Sequence, residues 1–237
     1  MSELFYRNAC SSTNDEINDV LLYPQSNFVG LYTFNQIKGR GQYGNSWTSV
    51  AEQNLAYTLA VKASCILHSD FLFNYYTAIA VQNYLANLTE KIVKIKWPND
   101  IIVKNKKVVG ILIEKKKINQ ENYFIIGIGI NILQEKFDEI SNAGSLLTQT
   151  GKTFNLNQFT ENLHLFLIEK LTHIPNDDEI LAEFNSSLFR KDEISVFELD
   201  KTRQNGIIRN ADENGEIWIE LESGLRSFYH KEIKLLY

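Results

Sequence analysis

Residues 36–47, QIKGRGQYGNSW, set Gly39, Gly41 and Gly44 around Arg40 in a stretch with no packing periodicity. Glycine lets backbone N–H groups come close to a small ligand and admits left-handed turns. A guanidinium between two glycines can fork onto a carboxylate or phosphate. An anion-cradling loop and an ordinary glycine-rich surface turn both satisfy these residues. Two common nucleotide loops do not. The G-x-x-x-x-G-K-[ST] pattern is absent, and G-R-G-Q-Y-G matches the dinucleotide fingerprint by letters alone, since NSWTSVAEQN after Gly44 reads as a loop where a helix should open.

Three other stretches carry chemistry-bearing residues. In Lys96-Trp97-Pro98-Asn99-Asp100 a strand meets a proline that cannot donate to a ladder, so the chain turns while presenting a lysine, an amide and a carboxylate. Lys107-Val108-Val109-Gly110-Ile111-Leu112-Ile113-Glu114 reads as a buried strand whose glycine admits another group. Gly127-Ile128-Gly129-Ile130-Asn131 ends a strand on an amide that offers a donor and an acceptor together, as a purine edge requires. Each of the three, alone, is equally a structural turn or core strand.

The elements that position them follow from patterning. With 237 residues and 44% hydrophobic content, the chain can bury a sizeable core and suits one large domain with a small companion. Ser12, Thr13 and Asn14 precede Ile17, Val20 and Leu21 at helical spacing, so one of the three should cap that helix. Strands are expected over 28–34, 54–61, 92–96, 101–104, 107–115 and 122–130, with a hairpin between Val103 and Val108. Helices are expected over 71–88, 157–171 and 177–185. Together these give an α+β domain on a mixed, largely antiparallel sheet with flanking helices. After about Asn185 short strands at 194–199, 206–209, 216–221 and 225–229 predict a small all-β, barrel-like module.

A net charge of −5 argues against broad nucleic-acid binding, although Lys104, Lys106, Lys107, Lys115, Lys116 and Lys117 either face an anionic ligand or line a solvated hairpin. Cys10 and Cys65 form no metal spacing or disulfide framework. No signal segment and no apolar run of membrane-spanning length is present, so a cytoplasmic location is expected, with no membrane partner.

Taken together and in order, Ser12-Thr13-Asn14, QxxGRGxxGxxW, KWPNDIIV, KVVGILIE and GIGIN resemble the biotin protein ligase family, the biotin–acetyl-CoA-carboxylase ligases or holocarboxylase synthetases, over nearly the whole chain. The resemblance implies the class II synthetase-like biotin–lipoate ligase fold, with a catalytic domain over 1–185 and an SH3-like barrel over 186–237. It implies that biotin and MgATP give biotinyl-5′-AMP and pyrophosphate, and that the acyl group then moves to a lysine of a biotin carboxyl carrier protein of acetyl-CoA carboxylase or a related carboxylase. By the same resemblance Ser12, Thr13, Asn14 and Gln36 surround the biotin head, whose neutral ureido group suits neutral donors and acceptors. Gly39, Arg40, Gly41 and Gln42 wrap the carboxylate and phosphate, and Lys107 reaches the same centre, making Lys107 and Arg40 the catalytic candidates. Arg40, Trp47, Lys96, Asn99 and Asn131 fall on the ATP side, with Asn131 as adenine reader; Trp47 is alternatively an anchor of its loop. Asp100 either helps to hold Mg²⁺ or fixes its turn.

Two departures stand out. Many family members carry arginine where Gln42 stands, and often where Asn45 stands, so this loop has fewer fixed charges. The sequence before Ser12 is too short for the helix-turn-helix that some relatives use, so no nucleic-acid partner is expected, and the protein is expected as a monomer or homodimer. Lipoate ligases or octanoyltransferases of similar fold, and a biotin-binding module without transfer chemistry, are the alternative readings.

Overall fold

The computed structural model describes residues 3–21, 26–137 and 141–237, apart from the Tyr43 side chain. Among them, seven strands form the main sheet in the order β1-β2-β5-β9-β8-β7-β6. These are β1 (Glu3–Tyr6), β2 (Phe28–Thr33), β5 (Asn54–Lys62), β6 (Val93–Lys96), β7 (Asp100–Val103), β8 (Lys106–Ile118) and β9 (Glu121–Asn131). Only β1 and β2 pair in parallel; every other neighbour is antiparallel. The expected strands are found within a few residues, and the mixed, largely antiparallel α+β architecture holds. Short pieces without a periodic signal, β1 and the two-residue pair β3 (Gly39–Arg40) and β4 (Ser46–Trp47), went unread in the sequence.

Helix α2 (Asp70–Thr89) is apolar nearly all round because it is sandwiched: it packs on the sheet and is covered by α4 (Leu156–Thr172) and α5 (Asp177–Ser187). The Ser69 hydroxyl accepts from Leu72 N and starts it, and Glu90 in the left-handed region ends it. Among the described residues, the opposite face of the sheet is covered at one end, where Ile17 of α1 (Thr13–Val20) and Leu21, the residue after it, meet Val29, Leu31, Ala60, Tyr123 and Ile125. The rest of that face carries the cleft described below. A five-residue helix, α3 (Leu146–Thr150), follows, with Ser145 and Thr148 forming a capping box.

The last strands, β10 (Ile194–Leu199), β11 (Thr202–Ala211), β12 (Ile217–Leu221), β13 (Gly224–Phe228) and β14 (Lys234–Leu236), form an antiparallel sheet in the order β13-β12-β11-β10-β14. The expected barrel is therefore corrected to an open sheet: β14 has three residues, pairs only with β10 among the described residues, and leaves β13 as the other edge. Its inner residues Phe197, Ile208, Ile217 and Ile219 join the same apolar core as the main sheet.

Candidate active site

The alternation of side chains along the central strands decides what faces the cleft. On β9, Ile126, Ile128 and Ile130 enter the main core, so Gly127, Gly129 and Asn131 face the other way. Cross-strand register places Gly110 of β8 opposite Gly129 and Leu112 opposite Gly127, with Ala56 and Thr58 of β5 beside them. The cleft lies where this face has lost its side chains. It holds about 240 Å³.

Each glycine admits one particular group. A Cβ at Gly127 would lie 2.3 Å from Asn14 Oδ1, and one at Gly129 would lie 2.4 Å from Trp47 Cε2. A Cβ at Gly110 would meet the same indole at 2.9 Å. Trp47 therefore lies flat on a floor made by a cross-strand glycine pair, anchoring the glycine loop.

One end of the cleft is neutral and polar. Gln36 Oε1 accepts from Thr13 N at 2.8 Å and from the Thr13 hydroxyl at 3.2 Å, while the Thr58 hydroxyl lies 2.8 Å from Thr13 Oγ1 and donates to Asn14 Oδ1 at 2.7 Å. Ser12 occupies the N-cap position of α1, but its hydroxyl makes no capping bond and lines the cleft; the helix end is met instead by Glu16, which accepts from Ser11 N. Burial pushes the thiol of neighbouring Cys10 up to about 12, which keeps it protonated and unreactive.

The other end is cationic. Lys107 Nζ sits 2.7 Å from Asp100 Oδ1 and 5.8 Å from the Trp47 ring centre. A register shift between β7 and β8 turns it there: Ile101 pairs with Val109 and Ile102 with Lys107, so Val108 is extra and both valines enter the core. Such a bulge re-aims the next side chain to the opposite face. Lys96 lies 3.7 Å from Asp100, and burial lowers its pKa, partly offset by the Asp100 charge. Asp100 is thus engaged by two ammonium groups, and among the described residues no three His, Cys, Asp or Glu side chains gather into a metal site. This geometry fits the turn-fixing role of Asp100. Asn99 is buried and donates to Asn74 Oδ1 and Ile111 O, tying the Trp97–Asp100 turn to β8.

Arg40 does grip carboxylates, but those of the protein. Its guanidinium forks onto Glu114 at 3.2 and 3.0 Å and reaches Asp15 at 2.7 Å. Gly41 N–H is committed to Asn45 O at 2.7 Å within the loop, and Gly39 pairs with Trp47, while Gln42 lines the cleft in a short 3₁₀ turn. Asn131 lies beyond the cleft lining. It donates to Gly144 O at 3.0 Å, and its buried Oδ1 has no partner among the described residues; neither has the buried Trp47 Nε1.

With that geometry in place, sequence comparison is decisive. A family model described as "Biotin/lipoate A/B protein ligase family" matches residues 8–131. The chain belongs to this family. It is 25% identical over 98% of its length to the bifunctional ligase/repressor BirA of Bacillus spizizenii, 74% of which is covered. BirA of Escherichia coli matches at 25% over 94% of this chain and 71% of that protein. A biotin protein ligase from Aquifex aeolicus, solved with biotin and ATP, shares the fold with a TM-score of 0.81 at 24% identity, over 99% of this chain and 98% of that one.

Sequence reasoning missed several residues at the cleft. Of the partners of Arg40, Asp15 directly follows the Ser12-Thr13-Asn14 motif, and Glu114 closes KVVGILIE as its one acidic residue. His230, brought to the cleft by the C-terminal sheet and stacked edge-on to Trp97 at 5.6 Å, gives no local signal at all. Burial lowers its pKa, with Lys96 adding to the effect.

Proposed function

We propose that this chain is an ATP-dependent ligase that activates biotin as biotinyl-5′-AMP and transfers it to a lysine of a biotin carboxyl carrier protein, with residues 1–185 carrying the chemistry and 186–237 forming a second unit. The observation that carries the reading is the polarity of the cleft: a neutral hydrogen-bonding end built from Ser12, Thr13, Asn14 and Gln36 leads to a cationic end at Lys107. A ureido head suits the first, and a carboxylate meeting an α-phosphate suits the second.

With Val108 bulged out, Leu112 and Lys107 are separated along β8 by about four regular steps, roughly 14 Å at ~3.4 Å per residue, so the two ends of the cleft are well apart. Lys107 offsets the mutual repulsion of the two anions, and Asp100 holds its ammonium in place. For the nucleotide, the buried Asn131 Oδ1 and Trp47 Nε1, without partners among the described residues, are the candidate acceptor and donor for a purine edge, with Asn131 set just outside the cleft lining. Lys96 and Asn99 line the same side. Mg²⁺ would come as part of the MgATP substrate and would supply charge neutralisation there, in keeping with its habit of retaining few protein ligands. In the second half-reaction the carrier amine attacks the acyl carbonyl; a C–N bond forms, the bond to the phosphate oxygen breaks, AMP leaves and the amine loses a proton. We also propose that it acts in the cytoplasm, as a monomer or homodimer. No described helix is long and apolar enough to cross a membrane.

Pyrophosphate release with biotin, lipoate or octanoate, each with ATP, tests the substrate. Biotin is expected to support release; preference for lipoate or octanoate contradicts the reading.

A further inference from the structure

The geometry points to Glu114 as a positioning residue that latches the glycine loop across the cleft and so governs how well the activated acyl group is retained; this rests on the ligase reading. Its carboxylate joins two parts of the site that are far apart in sequence. Oε2 accepts from Asn14 Nδ2 at 3.0 Å, and both oxygens accept the Arg40 fork at 3.2 and 3.0 Å. Asn14 belongs to the polar end and Arg40 to the loop strand β3, so one side chain fixes the spacing between them. Two more charges complete the latch. Asp15 takes the same Arg40 Nη2 at 2.7 Å, and Lys116 lies 3.4 Å from Asp15 and 3.8 Å from Glu114 while donating to Asn14 O at 2.8 Å.

The four charges sum to zero, so the network needs no bound anion to balance it. Glu114, Leu112 and Gly110 alternate along one face of β8, which puts the latch on the same rigid strand as the glycine floor under Trp47. The loop is therefore held on both strands of its short hairpin, at Arg40 by charge and at Trp47 by packing. Among the described residues, Glu114 is the residue of the main sheet that the Arg40 guanidinium grips.

Glu114→Gln tests this, because the amide oxygen can still accept from Asn14 while the charge facing Arg40 is lost. A charge-assisted bond is worth roughly 1.5–3 kcal/mol, but the Arg40 and Glu114 side chains are 42% and 25% exposed, which places the effect near the lower end, about tenfold. The expected result is an about tenfold rise in adenylate released to solvent per carrier acylated and in the KM for biotin, with kcat for pyrophosphate release changed far less. Asp15→Asn, losing one contact instead of a fork, should do less. In the Arg40→Gln/Glu114→Gln double variant the losses should not add. A lowered melting temperature with unchanged leak and KM, or additive losses, would overturn the inference. If Glu114→Gln does not fold, Arg40→Lys reads the same contact from the exposed side: lysine keeps the charge but cannot fork onto Glu114, so leak and the KM for biotin should still rise, and no change in either would overturn the inference. Failure of the unaltered chain to release pyrophosphate with biotin overturns the ligase reading and this inference together, whereas normal wild-type turnover with an unaffected Glu114→Gln overturns the inference alone.

Discussion

Gly129→Ala perturbs the site at its least forgiving point. The new methyl would lie 2.4, 2.6 and 2.8 Å from Trp47 Cε2, Nε1 and Cζ2. Ordinary carbon contacts are about 3.5–4.0 Å, so the indole must rise by roughly 1 Å or more. The strand cannot yield instead, because Gly129 is paired with both Ala56 and Gly110 in the middle of the sheet. Trp47 is paired in turn with Gly39, so the shift passes into the glycine loop. A misplacement of about 1 Å costs on the order of a hundredfold in rate, or about 3 kcal/mol in the barrier. Pyrophosphate release with biotin and ATP measures it. Removing the ring should remove the clash, so Gly129→Ala/Trp47→Ala should be no slower than Trp47→Ala alone. A Gly129→Ala enzyme with wild-type kinetics, or a double variant slower than both singles, would refute the glycine floor.

Lys107→Ala removes a charge-assisted contact worth roughly 1.5–3 kcal/mol, so both adenylation and transfer should slow by about ten- to over a hundredfold; normal rates in single-turnover assays of each step would make the lysine hairpin surface. Gln42→Gly should let less activated biotin escape to lysines of a bystander protein than Arg40→Gly does, since Arg40 alone of the two carries the fork onto Glu114, and the opposite ranking at matched adenylate synthesis would make the glutamine the main clamp. Burial against Tyr57 lowers the His164 pKa to about 4, below its unfolded value near 6.5, so its contribution is full above pH 6.5 and is lost as pH falls toward 4, by about 3 kcal/mol. Urea unfolding of wild type and His164→Gln between pH 7 and pH 4.5 should converge at the acidic end, and parallel curves would contradict it.

Much of this was legible in the chain because the signals are local. The Ile-Gly alternation of residues 126–131, the polar turn at Lys104-Asn105 and the apolar run 71–88 each report an environment one residue at a time. The cleft residues Thr13, Gln36, Lys107 and Asp100 were legible as motifs, although nothing in their spacing showed that a bulge at Val108 aims Lys107 at Asp100. The partners of Arg40 were not legible, since its fork closes across 74 residues and is chosen by the register of β8. His230 was still less so: a second sheet carries it to the cleft, and only tertiary packing says where that sheet docks. The open C-terminal sheet was misread as a barrel because closure depends on whether two distant edges meet, which strand patterns do not encode.

The central claim is acyl transfer to a carrier lysine, and the intact mass of a biotin carrier domain incubated with this chain, biotin and MgATP tests it most directly. A single biotinyl addition is expected, one that requires ATP and disappears when the carrier lysine is replaced by arginine. Biotin binding with no mass increase on the carrier, or equal acylation when lipoate replaces biotin, would contradict it.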